Sequence, residues 1–329
     1  MAILLIQTAF IGDVILATPL IEVLHEKLPD QPIDFLLRKG NEGLVVGHPK
    51  LRKVWIWDKK QDKYKNLRRL SKEVRKVSYS HVINLQRFGA TGLLTLFSGA
   101  KNRIGFSKNP FSAFYSHRFP HILKEGTHEV ERNLNLLQPV IGEVSEPILP
   151  KLYPSPSDWE KVKLYKKSPY ICMAPSSVWF TKQFPSHKWI ELIAKIPEAL
   201  QVMLLGGPGD KNLCDEIIQN TTRDKVFNLA GELSLLQSTA LMADAEMNYV
   251  NDSAPLHMAS ASNAPTTAIF CSTHPKFGFG PLSDQSLIIQ HPNPPTCRPC
   301  GLHGFSACPQ KHFQCAEGID TSEIPIPLP

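Results

Sequence analysis

The sequence predicts an α/β fold: two Rossmann-like domains whose parallel sheets face a central cleft. Three observations carry that expectation. Short apolar runs alternate with helix-spaced segments along the chain. The alternation stops in a polar stretch, 144–169, punctuated by Pro147, Pro150, Pro154, Pro156 and Pro169, and then restarts. A length of 329 residues suits two domains of roughly 150 residues each.

The elements follow in order. Residues 2–7 read as a buried strand, 8–13 as a turn, and 14–28 as one helix with apolar Val14, Leu16, Leu20, Ile21, Leu24 and Leu28. Strands are expected at 33–38, 54–57 and 81–85, a basic helix at 59–76, and a Gly/Leu-rich helix at 90–97. A helix at about 157–167 leads into the second half. Strands follow at 170–174, 201–205, 226–229, 246–250 and, last, 266–270, with helices at 188–196, up to 219, 234–243 and 256–262 between them. This divides the chain into two domains, 1–155 and 156–316, the second with a Cys-rich segment at 297–315, and a tail, 317–329, whose Pro-rich end should fray. Ligands in such folds bind beyond the carboxyl ends of the strands.

Composition narrows the class. Apolar residues make up 42% and charged residues 20%, as in ordinary globular proteins. The net charge of +6 is too small to argue for nucleic acid and suits an anionic substrate or membrane surface. The first 28 residues are apolar, but Asp13 interrupts them and they lack a basic start and a small-residue cleavage site. No run reaches the length of a membrane span. The expectation is a soluble, cytoplasmic protein. Seven cysteines, an odd number, do not form a disulfide framework.

Several clusters could carry chemistry. Gly12-Asp13 falls between a strand and a helix. Asp13 is either an N-cap or a general base taking a proton from an acceptor hydroxyl. Ser176 and Ser177, with Lys182 in Thr181-Lys182-Gln183-Phe184-Pro185, offer hydroxyls and a cation to a departing diphosphate. The plain alternative is a polar loop with Ser186 capping the next helix. Asn251-Asp252-Ser253 opens a helix whose N-terminus can hold a phosphate; the alternative is capping by Asp252 or Ser253, with His257 structural. Gly206-Gly207-Pro208-Gly209-Asp210 matches neither a dinucleotide fingerprint nor a P-loop and reads as a turn. Cys297, Cys300, Cys308 and Cys315 could ligate zinc, although their spacing departs from paired CxxC motifs, and free thiols are the alternative. Between 58 and 76, nine cations, including Lys59, Lys60, Lys63, Arg68 and Arg69, face three acids. That bias fits a solvated face or an anionic glycolipid or membrane surface. No Asp-x-Asp motif is present to hold a divalent ion, so neither a metal nor a cofactor is expected.

Taken in order, these segments resemble the ADP-heptose:lipopolysaccharide heptosyltransferases of glycosyltransferase family 9. The resemblance rests on the run from Ile11-Gly12-Asp13 to Pro19-Leu20, on Asn84-Leu85-Gln86, Arg103-Ile104-Gly105-Phe106 and Glu129-Val130-Glu131-Arg132-Asn133-Leu134, and on Lys182-Gln183-Phe184-Pro185, Leu229-Ala230-Gly231-Glu232, Asn251-Asp252-Ser253 and the Cys-rich tail. It implies metal-independent, inverting transfer of heptose from ADP-heptose to a Kdo or heptose hydroxyl of the lipopolysaccharide inner core, peripherally at the inner face of the cytoplasmic membrane. By the same resemblance Asp13 is the base, Lys182 binds the diphosphate, and Ser176 and Ser177 stand beside the phosphate. Glu232 lies near the nucleoside, and Asp252, Ser253 and His257 line the donor pocket. One departure stands out: family members usually carry Gly after Asp-Ser/Thr, whereas Ala254-Pro255 follows here, and Pro255 has no N–H to donate. Two alternatives remain open at this stage: another nucleotide-sugar donor serving a surface polysaccharide, or a non-catalytic protein that binds a nucleotide sugar or glycolipid.

Overall fold

A computed structural model describes residues 2–123, 125–144 and 148–327. Pro147, one of the boundary prolines, lies outside them. The chain divides into two compact units, Met1–Tyr153 and Pro154–Pro329.

The first unit is a six-stranded sheet of β1 (Ile3–Ile6), β2 (Ile33–Arg38), β3 (Lys53–Trp57), β4 (His81–Asn84), β5 (Asn102–Phe106) and β6 (His117–Phe119). Their order is β3-β2-β1-β4-β5-β6, and every pairing is parallel. All four residues of β1, Ile-Leu-Leu-Ile, are buried, as a central strand covered on both faces requires. Leu4, Ile6, Leu36, Val82 and Leu94 form the heart of one core with Leu67, Leu70 and Val74. Those last three lie on α3 (Lys63–Arg75), which follows α1 (Ile11–Ile15) and α2 (Thr18–Lys27) in the chain. The unit is completed by α4 (Gly89–Phe97), α5 (Glu129–Leu134) and α6 (Gln138–Ile141).

Three local differences from the sequence reading have physical causes. The single helix expected over 14–28 is two helices, because Pro19 has no N–H and its ring would clash with the Ile15 carbonyl one turn back. That carbonyl accepts the Thr18 hydroxyl instead, at 2.7 Å. The basic helix starts at Lys63, after Asp62 in left-handed backbone (φ 43°), so Lys59 and Lys60 precede it. Finally, β6 is only three residues long and mostly polar, and β5 opens on Asn102-Arg103, so neither presents a continuous apolar run.

The second unit repeats the plan. Helix α7 (Pro156–Val162), boxed by Ser155 and Asp158, leads into β7 (Tyr170–Ala174), α8 (Ser186–Lys195), β8 (Gln201–Leu204), α9 (Lys211–Gln219) and β9 (Val226–Asn228). Then come α10 (Leu235–Ala243), β10 (Asn248–Asn251), α11 (Ala254–Ala261), β11 (Thr266–Phe270), β12 (Ser286–Gln290) and α12 (Gln314–Glu317). The sheet order, β12-β11-β10-β7-β8-β9, is the first unit's order again, counted from β7. The strand at 266–270 is therefore not the last: β12 pairs beside it in parallel, and its exposed edge position hides it from an apolar-run reading. Nor is the tail separate. Ile319 and Ile324 are buried in this unit's core, and the Tyr249 hydroxyl donates to the Pro325 carbonyl at 2.8 Å. The division falls at 153/154, two residues before the expected boundary.

Candidate active site

In each sheet the strand order reverses at one pair, β1/β4 in the first and β7/β10 in the second. Loops leaving the carboxyl ends of strands at such a switch point are where open α/β sheets bind ligands. Asp13, Ser176, Ser177, Lys182, Asp252 and Ser253 follow those strands, whereas Lys59 and Lys60 follow β3, Glu232 follows β9 and the four cysteines follow β12.

In the first unit, the loop after β1 carries Asp13 into α1. Asp13 is not the N-cap; Phe10 occupies that position. From the third helical position, the Asp13 Oδ2 reaches back and accepts the Phe10 N–H at 3.2 Å. Burial, and then the nearby charge of Glu129, push its carboxyl up to about 6, against the opposing pull of backbone N–H groups and Arg38. Glu129 is itself buried on α5. Its Oε1 and Oε2 lie 3.1 Å from His121 Nε2, and Arg132 Nε donates to Oε2 at 2.7 Å. Burial alone would raise this carboxyl, but its interactions with His121 and Arg132 outweigh burial and hold it below its ordinary value.

The neighbouring loops are tied to the Asp13 turn. Gln7 Oε1 accepts the Ala9 N–H at 3.2 Å and an amide N–H of Gln86, so the ends of β1 and β4 are linked. Asn41 Nδ2 donates to the Ala9 carbonyl at 2.9 Å, and the Arg38 guanidinium sits 4.7 Å from the Phe10 ring centre. Lys59 turns inward: its ammonium donates to the Thr8 carbonyl at 2.6 Å and hydroxyl at 3.0 Å, and burial lowers it to about 8. Lys60, Lys63, Arg68 and Arg69, by contrast, are exposed. The five cations grouped from the sequence thus separate into one residue of the loop cluster and four of an outer face.

In the second unit, Lys182 and Asp252 meet. Lys182 Nζ lies 2.7 Å from Asp252 Oδ2, with side chains only 14% and 8% exposed. The same oxygen accepts the buried Thr273 hydroxyl at 2.5 Å. Asn251 fixes the surrounding backbone: its Oδ1 accepts the Phe184 N–H at 3.0 Å and its Nδ2 donates to the Pro175 carbonyl at 2.8 Å. That one side chain joins the end of β10 to both the Ser176-Ser177 loop and the Lys182 segment. Ser176 and Ser177 are half-buried there, and Gln183 Nε2 donates to the Ser177 carbonyl at 2.6 Å.

The capping alternatives fail in this unit as well. Ser186 is the first residue of α8 rather than its cap, and bonds Glu216 at 3.1 Å. Ser253 holds the N-cap position of α11 without a side-chain capping bond, and Asp252 is committed to Lys182 and Thr273. Pro255 sits in the first turn of α11, and His257 is buried within it. Glu232 is exposed just after Gly231, where glycine is needed both for the positive φ of 79° and because a Cβ would stand 2.9 Å from Pro208 Cα.

The Cys-rich segment folds against the short turn Phe180–Lys182. Phe305 N–H donates to Thr181 Oγ1 at 2.8 Å, the Thr181 N–H donates to the Phe305 carbonyl at 3.1 Å, and Gly304 lies against the Lys182 stem. Cys297, Cys300, Cys308 and Cys315 line a cavity of about 130 Å³ with His312 and Phe313. Burial raises the Cys300 thiol, and raises that of Cys315 to about 11. Among the described residues no group of three His, Cys, Asp or Glu side chains is gathered to hold a metal ion. No helix among them is long and apolar enough to cross a membrane.

The sequence profile of glycosyltransferase family 9 (heptosyltransferase) matches residues 67–301. The chain belongs to this family. It is a glycosyltransferase. It is 29% identical over 283 residues to lipopolysaccharide heptosyltransferase 3 of Escherichia coli K12, covering 80% of each chain. To lipopolysaccharide heptosyltransferase 2 of the same strain it is 24% identical over 314 residues, covering 88% of each. The solved structure of E. coli ADP-heptose lipopolysaccharide heptosyltransferase II superposes with a TM-score of 0.78 at 22% identity, over 96% of this chain and 98% of that one. The family's two-Rossmann GT-B fold is thus the fold found here.

Sequence reasoning missed Gln7, Arg38, His121 and Thr273. Each is a lone polar residue beside an apolar strand or in a loop, and only the strand order brings it to the cluster. The single signal available was position: Gln7 follows β1 directly, and Thr273 lies three residues beyond the end of β11.

Proposed function

We propose that this family 9 enzyme transfers heptose from ADP-heptose to a hydroxyl of the lipopolysaccharide inner core, with inversion. The single observation that carries the reading is Asp13, on the switch-point loop of the first unit with its carboxyl raised to about 6. A carboxyl with that value is ionised above about pH 6 and accepts a proton more readily than an ordinary carboxylate. The acceptor oxygen forms its bond to the anomeric carbon from the face opposite the diphosphate and passes its proton to Asp13. The bond from the anomeric carbon to phosphate oxygen breaks, and its electron pair leaves with ADP. Lys182 neutralises that charge, helped by Ser176, Ser177, Ser253 and the N-terminal N–H groups of α11. Asp252 and His257 line the sugar side, Glu232 the nucleoside side. No divalent ion takes part in this reading.

The names of the relatives support the donor and the acceptor class, and the exposed Lys60, Lys63, Arg68 and Arg69 support approach to an anionic membrane surface. A second reading, a different nucleotide-sugar donor, is favoured by Pro255 in the first turn of α11, which removes one N–H from the phosphate site.

The test is transfer by the purified protein from ADP-heptose to Kdo-bearing and heptosylated lipid A acceptors, with and without EDTA, reading ADP release and acceptor mass. One added heptose, unaffected by chelator, is expected. Turnover only with another nucleotide sugar would replace the donor assignment, and binding without turnover of any donor would make the chain a non-catalytic binder.

A further inference from the structure

Four side chains hold two consecutive peptide groups just before α1. A peptide group is planar, so fixing its C=O also fixes the N–H on its opposite edge. In the first, between Thr8 and Ala9, the carbonyl accepts from the Lys59 ammonium at 2.6 Å and the N–H donates to Gln7 Oε1 at 3.2 Å. In the second, between Ala9 and Phe10, the carbonyl accepts from Asn41 Nδ2 at 2.9 Å and the N–H donates to Asp13 Oδ2 at 3.2 Å. From Asn41 to the Asp13 carboxyl there are thus two hydrogen bonds with one rigid plane between them. Asn41 follows β2, 32 positions from Ala9 in sequence, and both Asn41 and Gln7 are buried. The Asn41 amide is oriented by both of its ends, since Oδ1 accepts from Arg38 Nε at 3.4 Å while Nδ2 meets the carbonyl.

A donor on the carbonyl of an amide polarises it and strengthens donation from its N–H. Asn41 therefore both aims and reinforces the bond that holds Asp13 Oδ2. We propose that Asn41, with Gln7, is a positioning residue for the transfer reaction, holding the Ala9–Phe10 peptide so that Asp13 Oδ2 stays fixed and Oδ1 meets the acceptor hydroxyl. This rests on Asp13 being the base. Neither amide touches a reacting atom. An N–H bonded to a carboxylate favours the ionised form, so a loosened peptide makes the Asp13 carboxyl harder to ionise. The other ionisable groups acting on Asp13 are Glu129 from α5 and Arg38 from β2, with Lys59 beside Arg38. Replacing Asn41 or Gln7 by a neutral residue adds no charge to that set and removes none.

The experiment measures kcat, both KM values and the pH profile of transfer for wild type, Asn41→Leu, Gln7→Met and Asp13→Asn, with ADP binding by calorimetry as the control for folding. The Leu and Met side chains keep the size of the amides they replace and remove their hydrogen bonds. Asn41→Leu is expected to lower kcat about tenfold and to move the acidic limb to higher pH by roughly half a unit. The KM for ADP-heptose and the affinity for ADP should match wild type. Gln7→Met leaves the contact between Arg38 and Asn41 in place, should repeat both changes, and carries the test if Asn41→Leu does not fold. A shift in Asn41→Leu alone would trace to the released Arg38 and overturn the role of the peptide. Wild-type kcat and limb in the folded variants, with Asp13→Asn inactive, would overturn the role of Asn41 and leave the base standing. A fall in kcat with an unmoved limb would also overturn it and make Asn41 a structural part of its loop. Activity in Asp13→Asn would remove the base itself.

Discussion

Lys182 and Asp252 lie 70 positions apart in the sequence and 2.7 Å apart in the fold, at the ends of the loops leaving β7 and β10. Asp252 fixes the Lys182 ammonium in place, ready for the diphosphate role proposed for it. Lys182→Ala is expected to lower kcat about 100- to 1,000-fold, as losing one charge-stabilising donor does in other enzymes. It should also weaken ADP binding measured by calorimetry. Because both side chains keep some contact with water, the stability loss should be about 2 kcal/mol, below the cost of breaking a fully buried pair.

Asp13 links rate to pH. A base raised to about 6 must be ionised to work, so kcat/KM should climb as pH rises through about 6 and then level off. Asp13→Ala should abolish transfer while leaving ADP binding near normal.

The same carboxyl should also show in stability. Its folded value exceeds the unfolded value of 3.8, so between the two the native state binds the extra proton and stability falls as pH rises. Above about 6 the ionised carboxylate is therefore a net cost, on the order of 1–3 kcal/mol. Asp13→Asn should raise the melting temperature at pH 8 and leave it near wild type at pH 4. An equal gain at both pH values would contradict a raised carboxyl.

Much of this was legible in the sequence, and the limits are physical. Continuous apolar runs such as Ile3–Ile6 and Tyr170–Ala174 declare buried strands, whereas the turn expected over 8–13 ends earlier, since Gly12 and Asp13 already lie in α1. The break after Ile15 was equally available in Pro19, whose effect on the carbonyl one turn back is local. An edge strand such as Ser286–Gln290 is another matter, since exposure removes the apolar pattern that betrays a strand. The partners of the site residues were out of reach. That Asp252 would bind Thr273 and Lys182 instead of capping α11 depends on which strands neighbour β7, and no local spacing encodes that order.

Gly304 offers a test of how the Cys-rich segment serves the site. Its φ of +79° suits glycine, and an added Cβ would meet Lys182 Cγ and Thr181 Oγ1 at 3.0 Å each. Gly304→Ala should cost about 1–2 kcal/mol from the left-handed backbone alone. It should also press on the stem that carries the Lys182 ammonium. The expected outcome is a raised KM for the nucleotide sugar with an unchanged KM for the acceptor, measured in the transfer assay. A fall in melting temperature with both KM values intact would mean that the lobe stabilises the unit without positioning Lys182.

The outer face of α3 makes the last separable claim. Its inner stripe, Leu67, Leu70 and Val74, is buried in the first unit's core, while Lys63, Arg68 and Arg69 point outward with Tyr64, 72% exposed. A cationic face with an aromatic among it suits an anionic lipid surface, where each cation contributes about 1 kcal/mol and salt screens the sum. The triple variant K63E/R68E/R69E leaves the buried stripe untouched and should fold normally. It should lose co-sedimentation with vesicles containing phosphatidylglycerol, and wild-type binding should fade as salt is raised. Transfer to a detergent-dispersed acceptor should be unchanged, whereas transfer to the same acceptor embedded in those vesicles should drop. Equal activity on both presentations would mean that the basic face is only solvated.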